Sequence, residues 1–509
     1  MGAGASTRAL EELEAALHGA GDAGKLVVRH CDLRALPPEL LARATHLREL
    51  TLEHAKLRQL PASFGCLVLL ERLSLAGNQL ETLPLSFREL QRLEELDVSA
   101  NALHSLLGNF CDLIALRRLH LHSNALRKLP REFGALRSLE LLDVRNNMLR
   151  KLPASFPCLT RLSRLDASRN KLKKLPAAFG NLRALRVCHL GRNALQELPE
   201  LFGMATSLEV LALQHNALYK LPASFAELTN LTSLSVTGNR LESFPGDQLR
   251  SLNALVTLSY AENRLSQWQL GDRSVHLEDQ DEGFQDDAEA TEELSNVLGN
   301  PLSALNTVQY LDFSDNTLVT LPRRGWSQLG ELLELKLARN RLERLPAGLG
   351  ALRKLRRLDL AGNKLTVLPT ALLSLKTLEC LDVQQNTLQE LPANVGECEK
   401  LDQLVLTRNR QLHGLPASLC RLSRLRELRV DRLCFLALDD DQTEFCRGLA
   451  KQIRQLEHRQ PVAIPKTHEI RSTEQQADAA LMASSDGHVE WRASQVGSAE
   501  RWVSSTLKQ

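Results

Sequence analysis

The sequence predicts an α/β solenoid, in which short repeats stack into a curved horseshoe with a parallel β-sheet on its concave face. An asparagine recurs every 23 residues, eight times between Asn78 and Asn239, without a slip. Two leucines separated by one residue, such as Leu73 and Leu75, come shortly before it. A fixed period of this length indicates a solenoid, because one repeat cannot bury its apolar side alone and must stack on its neighbours.

The leucine and asparagine positions predict the local structure of each repeat. Leu73 and Leu75 alternate with other residues, which is the pattern of a short strand with one face in the core. An amide both donates and accepts, so an asparagine in a buried turn can satisfy backbone N–H and C=O groups. The predicted structural asparagine ladder consists of Asn78, Asn101, Asn124, Asn147, Asn170, Asn193, Asn216, Asn239, Asn263, Asn316, Asn340, Asn363, Asn386 and Asn409.

Proline marks the end of each predicted strand region. Of the 19 prolines, 14 occupy one slot of the repeat, between Pro37 and Pro416. Proline fixes φ and has no N–H to donate, so a strand does not continue past it. The register reaches back to Ala55 and Cys31 in the asparagine slot, which gives 16 repeats, and Leu428 begins a partial seventeenth.

This pattern resembles the leucine-rich repeat. Among its classes, it is similar to the intracellular 23-residue class of Ras-suppressor, Scribble and Erbin-type scaffolds, over about residues 25–433. The resemblance implies a protein-binding role, with a small GTPase or a phosphatase complex as the kind of partner. The motif is specific for the fold and weak for the function, because one solenoid serves many unrelated partners.

Composition divides the chain into six segments. They are an N-terminal leader and cap at 1–24, repeats at 25–268, an acidic insertion loop at 269–301, repeats at 302–433, a C-terminal capping helix at 434–460 and a disordered tail at 461–509. The insertion holds ten carboxylates and one arginine between Asp272 and Glu293. It is either a solvated loop or a segment that folds over basic patches of the array and competes with an acidic partner.

Composition also favours a cytoplasmic protein. Aromatic residues make up only 4% of the chain, so we expect leucine to supply the core. No run of about 18 apolar residues predicts a transmembrane helix, and the N-terminus lacks the apolar region of a secretory signal. The ten cysteines are scattered and form no cluster at either end of the array, which is typical of reduced packing thiols.

Catalytic motifs do not fit the pattern. Gly19 to Lys25 matches the opening of a phosphate-binding P-loop, but Leu26 stands where Ser or Thr would hold magnesium. The loop would also have to lie between a strand and a helix, whereas here a predicted strand follows it. The sequence therefore predicts no enzyme, no cofactor and no metal.

The first turns of the array place polar side chains on the predicted concave face. One column alternates in sign through Glu49, Arg72, Glu95 and Arg118, which predicts structural ion pairs between neighbouring turns. The adjacent columns form a candidate partner-binding site, which we call the middle patch: Asp97, His120, His122, Asp143, Arg145, Asp166 and His189. The alternatives are a metal site and a solvated surface. We expect Asp143 and Asp166 to face solvent. If histidine protonation contributes to binding, we expect binding to change between about pH 5.5 and 7.5, near the free histidine pKa.

The first residues match a lipidation signal. Met1-Gly2 with Ser6 fits the myristoylation pattern, so Gly2 is a candidate lipid-attachment residue. One myristoyl chain binds a bilayer only reversibly, and stable anchoring needs a second signal. Arg8 is the only basic residue before Lys25, so a second signal is not evident in the leader.

These features favour a non-enzymatic protein-interaction scaffold in intracellular signalling, with possible membrane contact through Gly2. The alternative is a substrate-recognition subunit of a ubiquitin-ligase complex, because leucine-rich repeats often serve as substrate arms. Nucleic acid is not an expected partner, since the net charge of the chain is only +2.

Overall fold

A computed structural model of the chain describes residues 24–266 and 305–430, together with residues 11, 13–15, 17 and 302. The chain divides into two compact units. Unit 1 comprises residues 1–331 with 339–342, and unit 2 comprises residues 332–338 with 343–509. The predicted insertion, capping helix and tail, and Gly2, lie outside the described residues.

Short strands recur once per repeat in both units. In unit 1 they are β1 Lys25–Arg29, β2 Glu49–Glu53, β3 Arg72–Ser74, β4 Glu95–Asp97, β5 Arg118–His120, β6 Leu141–Asp143, β7 Arg164–Asp166, β8 Val187–His189, β9 Val210–Ala212, β10 Ser233–Ser235, β11 Thr257–Ser259 and β12 Tyr310–Asp312. In unit 2 they are β13 Glu334–Lys336, β14 Arg357–Asp359, β15 Cys380–Asp382, β16 Gln403–Val405 and β17 Glu427–Arg429.

Neighbouring strands within each unit pair in parallel, which confirms the predicted solenoid of stacked repeats. Leu96 of β4 pairs with Leu119 of β5, and Leu119 pairs with Leu142 of β6. All three leucines are buried, whereas the residues before them lie on the open face of the sheet. The period-2 pattern of the sequence therefore gives one apolar and one open face, as alternation requires.

The asparagine ladder connects each turn to the one before it. Asn170 accepts a hydrogen bond from the N–H of Leu149 at 3.0 Å and donates to the carbonyl of Val144 at 2.9 Å. Asn316 does the same across the insertion, accepting from Leu265 at 3.1 Å and donating to Tyr260 at 3.0 Å. Since β11 also pairs with β12 in parallel, the insertion leaves the repeat register intact.

The side of each turn opposite the strand contains short 3-10 helices instead of full α-helices. A strand, two loops and a return segment leave little of a 23-residue turn for an α-helix, which rises only 1.5 Å per residue. The described α-helices of the array are α1 Pro38–Arg43 and α2 Gly246–Leu249. The described 3-10 helices are Ala62–Cys66, Leu85–Glu89, Gly108–Asp112, Phe133–Ala135, Phe156–Cys158, Phe179–Asn181, Phe202–Met204, Ala223–Glu227, Trp326–Gln328, Ala347–Ala351, Thr370–Ser374, Val395–Glu397 and Ala417–Arg421.

Leucine supplies most of the core, as expected, and phenylalanine adds one column of it under these 3-10 helices. Phe179 is fully buried and stacks between Phe156 and Phe202, with ring centroids 6.4 Å and 5.6 Å away. The stack continues to Phe133 and Phe225 at the same repeat position. A small total of aromatic residues is therefore concentrated in one column, where each ring packs against the next.

The leader contributes buried leucines before the first strand. Residues 11, 13–15 and 17 are helical, and Leu13 and Leu17 are both buried. In the sequence, Leu10, Leu13 and Leu17 fall at i, i+3 and i+7, which is the spacing of one helical face. The segment boundaries proposed above stay predictions. Among the described residues, no helix is long and apolar enough to span a bilayer.

Candidate functional site

The structure brings the middle patch together on the open face of five consecutive strands. Asp97, His120, Asp143, Asp166 and His189 are the last residues of β4 to β8, and each lies opposite the next in the parallel register. His122 and Arg145 follow two residues after β5 and β6, so they extend the patch along the same turns. Neighbouring strands are about 4.8 Å apart, which places these side chains side by side.

Burial within the patch contradicts one expectation. Asp143 is only 1% exposed and Asp166 only 7%, so these carboxylates do not face solvent. Arg145 lies over Asp143, with its Nε 3.4 Å from Oδ2, and its own side chain is 31% exposed. The close spacing of neighbouring strands explains the difference, because a short aspartate is covered by longer residues on adjacent turns. The histidines of the patch and Arg145 stay half-buried.

The aspartates of the patch have a structural role that the sequence reasoning missed. Asp97, Asp143 and Asp166 each accept a hydrogen bond from the backbone N–H two residues on, at 2.8 to 3.0 Å. Asp312, Asp359 and Asp382 make the same bond in later turns, at 2.9 to 3.0 Å. Aspartate favours such local bonds to its own backbone. Its recurrence in one repeat slot outside the patch was the available signal.

The two buried aspartates differ in ionisation. Burial and the adjacent Asp166 raise the pKa of Asp143 to about 7. Burial alone would also raise the pKa of Asp166, but the contact with His189 at 3.8 Å and hydrogen bonds from Ser168 outweigh it and lower that pKa. Below about pH 7, Asp166 therefore carries the charge while Asp143 is protonated, as expected for close buried acids.

The histidines of the patch do not titrate where a free histidine does. Burial lowers the pKa of His120, and burial together with Arg145 lowers the pKa of His122 to about 4. The lowered pKa of each ring favours its neutral form, and His122 is neutral between pH 5.5 and 7.5. A neutral ring offers one donor and one acceptor. Protonation of His122 therefore does not supply a change in binding between about pH 5.5 and 7.5, because burial disfavours the charged ring. Asp143 is the group placed to titrate near neutrality.

The contacts in the patch do not form a nucleophile–base–acid relay. In such a relay an imidazole lies between the nucleophile and the acid. Here the Ser168 hydroxyl donates directly to Asp166 at 2.6 Å, and His189 contacts the same carboxylate separately. Burial raises the pKa of the neighbouring Cys188 thiol, which disfavours the thiolate. Within 24–266 and 305–430, no three His, Cys, Asp or Glu side chains converge as metal ligands would.

A substitution of Asp143 tests its ionisation. The folded pKa of about 7 lies above the unfolded value of about 3.9. Asp143 therefore favours folding while it is protonated, and this contribution is lost as pH rises towards and through 7. Asp143→Asn cannot ionise, so we expect its stability relative to wild type to increase between pH 5 and pH 8. Urea unfolding across this range measures the difference.

Asp166→Asn is the matched control. The lowered pKa of Asp166 stabilises the fold above the unfolded value and is lost only as pH falls below it. This variant should be less stable than wild type at pH 5. The deficit should become smaller towards pH 8, because loss of the Asp166 charge also lowers the pKa of Asp143. A constant stability difference between Asp143→Asn and wild type from pH 5 to pH 8 would show that Asp143 is ionised throughout.

Comparison with known proteins identifies the family of this fold. The model of the leucine-rich repeat region matches residues 101–192 and 289–508, which is more than half of the chain. A second leucine-rich repeat model matches residues 24–80. The chain belongs to the leucine-rich repeat proteins. A search of curated proteins finds no significant match to the sequence.

Solved leucine-rich repeat structures share the fold at low sequence identity. A leucine-rich repeat protein of Leptospira interrogans is 25% identical, with a TM-score of 0.59, over 86% of this chain and 97% of its own. The ectodomain of the Arabidopsis receptor kinase HAESA, in complex with an extended IDA peptide hormone, is 25% identical with a TM-score of 0.57 over 80% of this chain. The GASSHO1/SCHENGEN3 receptor kinase ectodomain of Arabidopsis thaliana, in complex with CASPARIAN STRIP INTEGRITY FACTOR 2, is 26% identical with a TM-score of 0.53 over 80% of this chain.

The match to the two receptors is partial. This leucine-rich repeat chain spans 64% of the HAESA chain and 53% of the GASSHO1/SCHENGEN3 chain. The peptide ligands belong to those receptors. For the present chain, the family and these structures support protein–protein interaction as the general role of the array.

Proposed function

We propose that this leucine-rich repeat chain is a non-enzymatic scaffold that captures a protein partner at the middle patch, in intracellular signalling. The observation that carries the proposal is a concentration of varied polar groups on the open face of β4 to β8. Specific recognition needs donors, acceptors and charges in fixed places. Leucine-rich repeat structures that hold peptide ligands support a protein as the bound species.

The half-buried residues are the ones suited to contact a partner. His122 is a neutral ring that donates and accepts, burial shifts His120 in the same direction, and Arg145 supplies a cation beside them. Asp143 and Asp166 bind Arg145, His189 and the backbone from within, so they hold those residues in position. The partner class that the family resemblance favours is a small GTPase or a phosphatase complex.

A cross-linking experiment in cells tests this surface. A photoreactive benzoylphenylalanine in place of His122 of the full chain should cross-link one reproducible set of proteins, identified by mass spectrometry. The double substitution His122→Ala with Arg145→Ala should reduce recovery of that set about tenfold or more in pull-downs, since it removes placed polar groups that specific binding needs. Small GTPases or phosphatase subunits in the set would support the proposed partner class, and ubiquitin-ligase subunits would favour the alternative of a substrate-recognition subunit.

Arg131→Ala with Glu132→Ala is the matched control. These exposed residues precede the 3-10 helix Phe133–Ala135, on the side of the turn opposite the strand. The control should leave recovery unchanged. If it reduces recovery more than the patch substitution does, the binding surface lies on the other side of the array and the proposal is wrong.

We also propose that Gly2 carries a myristoyl group that brings the cytoplasmic scaffold to membranes. The support is the Met1-Gly2…Ser6 pattern. Gly2→Ala should abolish incorporation of a labelled myristate and lower the membrane-bound fraction without changing the melting temperature. Equal partition of the wild-type and variant proteins into membranes would contradict the proposal.

A further inference from the structure

Six exposed basic residues form a cationic face on the loops that follow the asparagine ladder. They occupy three successive turns of unit 1, after Asn124, Asn147 and Asn170. The cationic face consists of Arg127, Lys128, Arg150, Lys151, Lys171 and Lys173. It lies on the loops, whereas the middle patch lies at the strand ends, so the two surfaces are made by different parts of the same turns.

Backbone hydrogen bonds hold these loops directly against one another. The N–H of Met148 donates to the carbonyl of Leu126 at 2.9 Å, and the N–H of Lys171 donates to the carbonyl of Leu149 at 2.9 Å. The backbone N–H of Lys173 donates to the carbonyl of Arg150 at 3.4 Å. Arg127, Arg150 and Lys173 occupy one position of successive turns, and Lys128 and Lys151 occupy the next. These equivalent cations therefore lie side by side, at the spacing of about 5 Å that adjacent strands impose, and Lys171 lies beside Met148.

Ion pairs connect several other neighbouring turns of this chain. Elsewhere, residues 23 positions apart form ion pairs of opposite sign, as in Arg48 with Glu71 at 2.7 Å and Arg186 with Glu209 at 3.2 Å. The predicted alternating column does the same, and Arg118 lies 3.2 Å from Glu95. In contrast, none of the six residues of the cationic face has an ion-pair partner within the described part of the chain.

The face ends where the alternating pattern returns. At the next turn Glu197 forms an ion pair with Lys174 at 3.3 Å, which closes the row of cations. Adjacent like charges destabilise a pair of neighbouring strands, whereas opposite charges stabilise it. The cations of this face repel one another, which lowers the free energy of unfolding. An external anionic surface would relieve that repulsion.

We infer that the cationic face binds the anionic surface of a lipid bilayer. The six side chains are long and exposed, so they supply charge density without a shaped cavity, and a fluid layer of acidic headgroups requires no shape. Each Lys or Arg near such a surface strengthens binding about fivefold. Met148, which is 43% exposed, lies among the cations and adds an apolar side chain that suits the interface.

Other polyanions fit the face less well. Binding of single-stranded nucleic acid relies on aromatic rings on which bases stack. The loops that carry the six cations, at 125–130, 148–153 and 171–176, contain no aromatic residue. Specific binding of an acidic protein would require polar groups that are held in fixed positions by partly buried neighbours. Every member of the cationic face is instead exposed. The inference requires neither a lipid on Gly2 nor a partner at the middle patch.

Sedimentation with vesicles tests the inference on the full chain without its myristoyl group. Wild-type protein should bind vesicles of phosphatidylcholine and phosphatidylserine, should not bind vesicles of phosphatidylcholine alone, and should dissociate as ionic strength rises. Arg150→Glu with Lys151→Glu places two acids between the cations of the flanking turns. This variant should bind the vesicles at least about tenfold more weakly than wild type. Its melting temperature should stay equal to or above that of wild type.

Arg137→Glu with Arg183→Glu makes the same change in net charge at another edge of the turns. Both arginines are exposed and follow the 3-10 helices Phe133–Ala135 and Phe179–Asn181. This control should retain most of the vesicle binding. Equal loss in both variants would reduce the effect to net charge, and absence of phosphatidylserine-dependent binding by wild type would refute the inference directly. Binding to polyglutamate but not to vesicles would assign the face to an acidic protein instead, and would also overturn it.

Discussion

Replacement of Phe179 with alanine is expected to lower the free energy of unfolding by about 3–5 kcal/mol. Phe179 is fully buried and stacks between Phe156 and Phe202, with interplanar angles of 5° and 3°. Alanine would remove a ring that two neighbouring turns contact, and the hydrogen-bonded turns on either side cannot close the space. Urea or thermal unfolding of the full chain measures the loss.

Phe179→Leu is the control for this prediction. Leu349 occupies the corresponding place in the 3-10 helix Ala347–Ala351 of unit 2 and is fully buried there. Leucine is thus compatible with the slot, and the substitution should destabilise by less than about 2 kcal/mol. A loss from Phe179→Ala as small as that from Phe179→Leu would show that the ring column contributes little to the stability of the array.

The local frame of each repeat could be predicted from the sequence because it depends on contacts that recur at a fixed period. Leucine alternation predicted the strands, and the asparagine slot predicted the hydrogen bonds that Asn170 makes with Leu149 and Val144. The phenylalanine column carried the same kind of signal. Phe64 to Phe225 follow one another at 23-residue intervals, but a total aromatic content of only 4% does not reveal this regular placement.

The sequence predicts which residues of the candidate site lie next to one another, but it does not predict how far their side chains are exposed. Register alone brings Asp97, His120, Asp143, Asp166 and His189 into one row, and the structure confirms that row. Exposure depends on side-chain length and direction on the neighbouring turns, and a repeat pattern does not specify these. The burial of Asp143 and the lowered pKa of His122 both follow from such neighbours, chiefly burial and the position of Arg145.

Substituting Asp143→Arg together with Asp166→Arg is expected to destabilise the protein by about 3–5 kcal/mol, because it removes buried hydrogen-bonded acids and leaves uncompensated charge. The solvent-facing reading of these residues predicts no change in stability. In the structure, Asp143 accepts the N–H of Arg145 at 3.0 Å and contacts its side chain, while Asp166 accepts two hydrogen bonds from Ser168. Two arginines would break these contacts and place new cations beside Arg145.

The exchange Arg131→Glu with Glu132→Arg is the control, since both residues are exposed on the opposite side of the turn. It should change stability by no more than about 0.5 kcal/mol. Unfolding midpoints of the two double variants, measured side by side, decide the matter, and equal midpoints would mean that Asp143 and Asp166 are accessible after all. If the aspartate variant unfolds early, a loss of partner binding in it reports on folding. The half-buried pair His122 and Arg145 then remains the sounder place to test recognition.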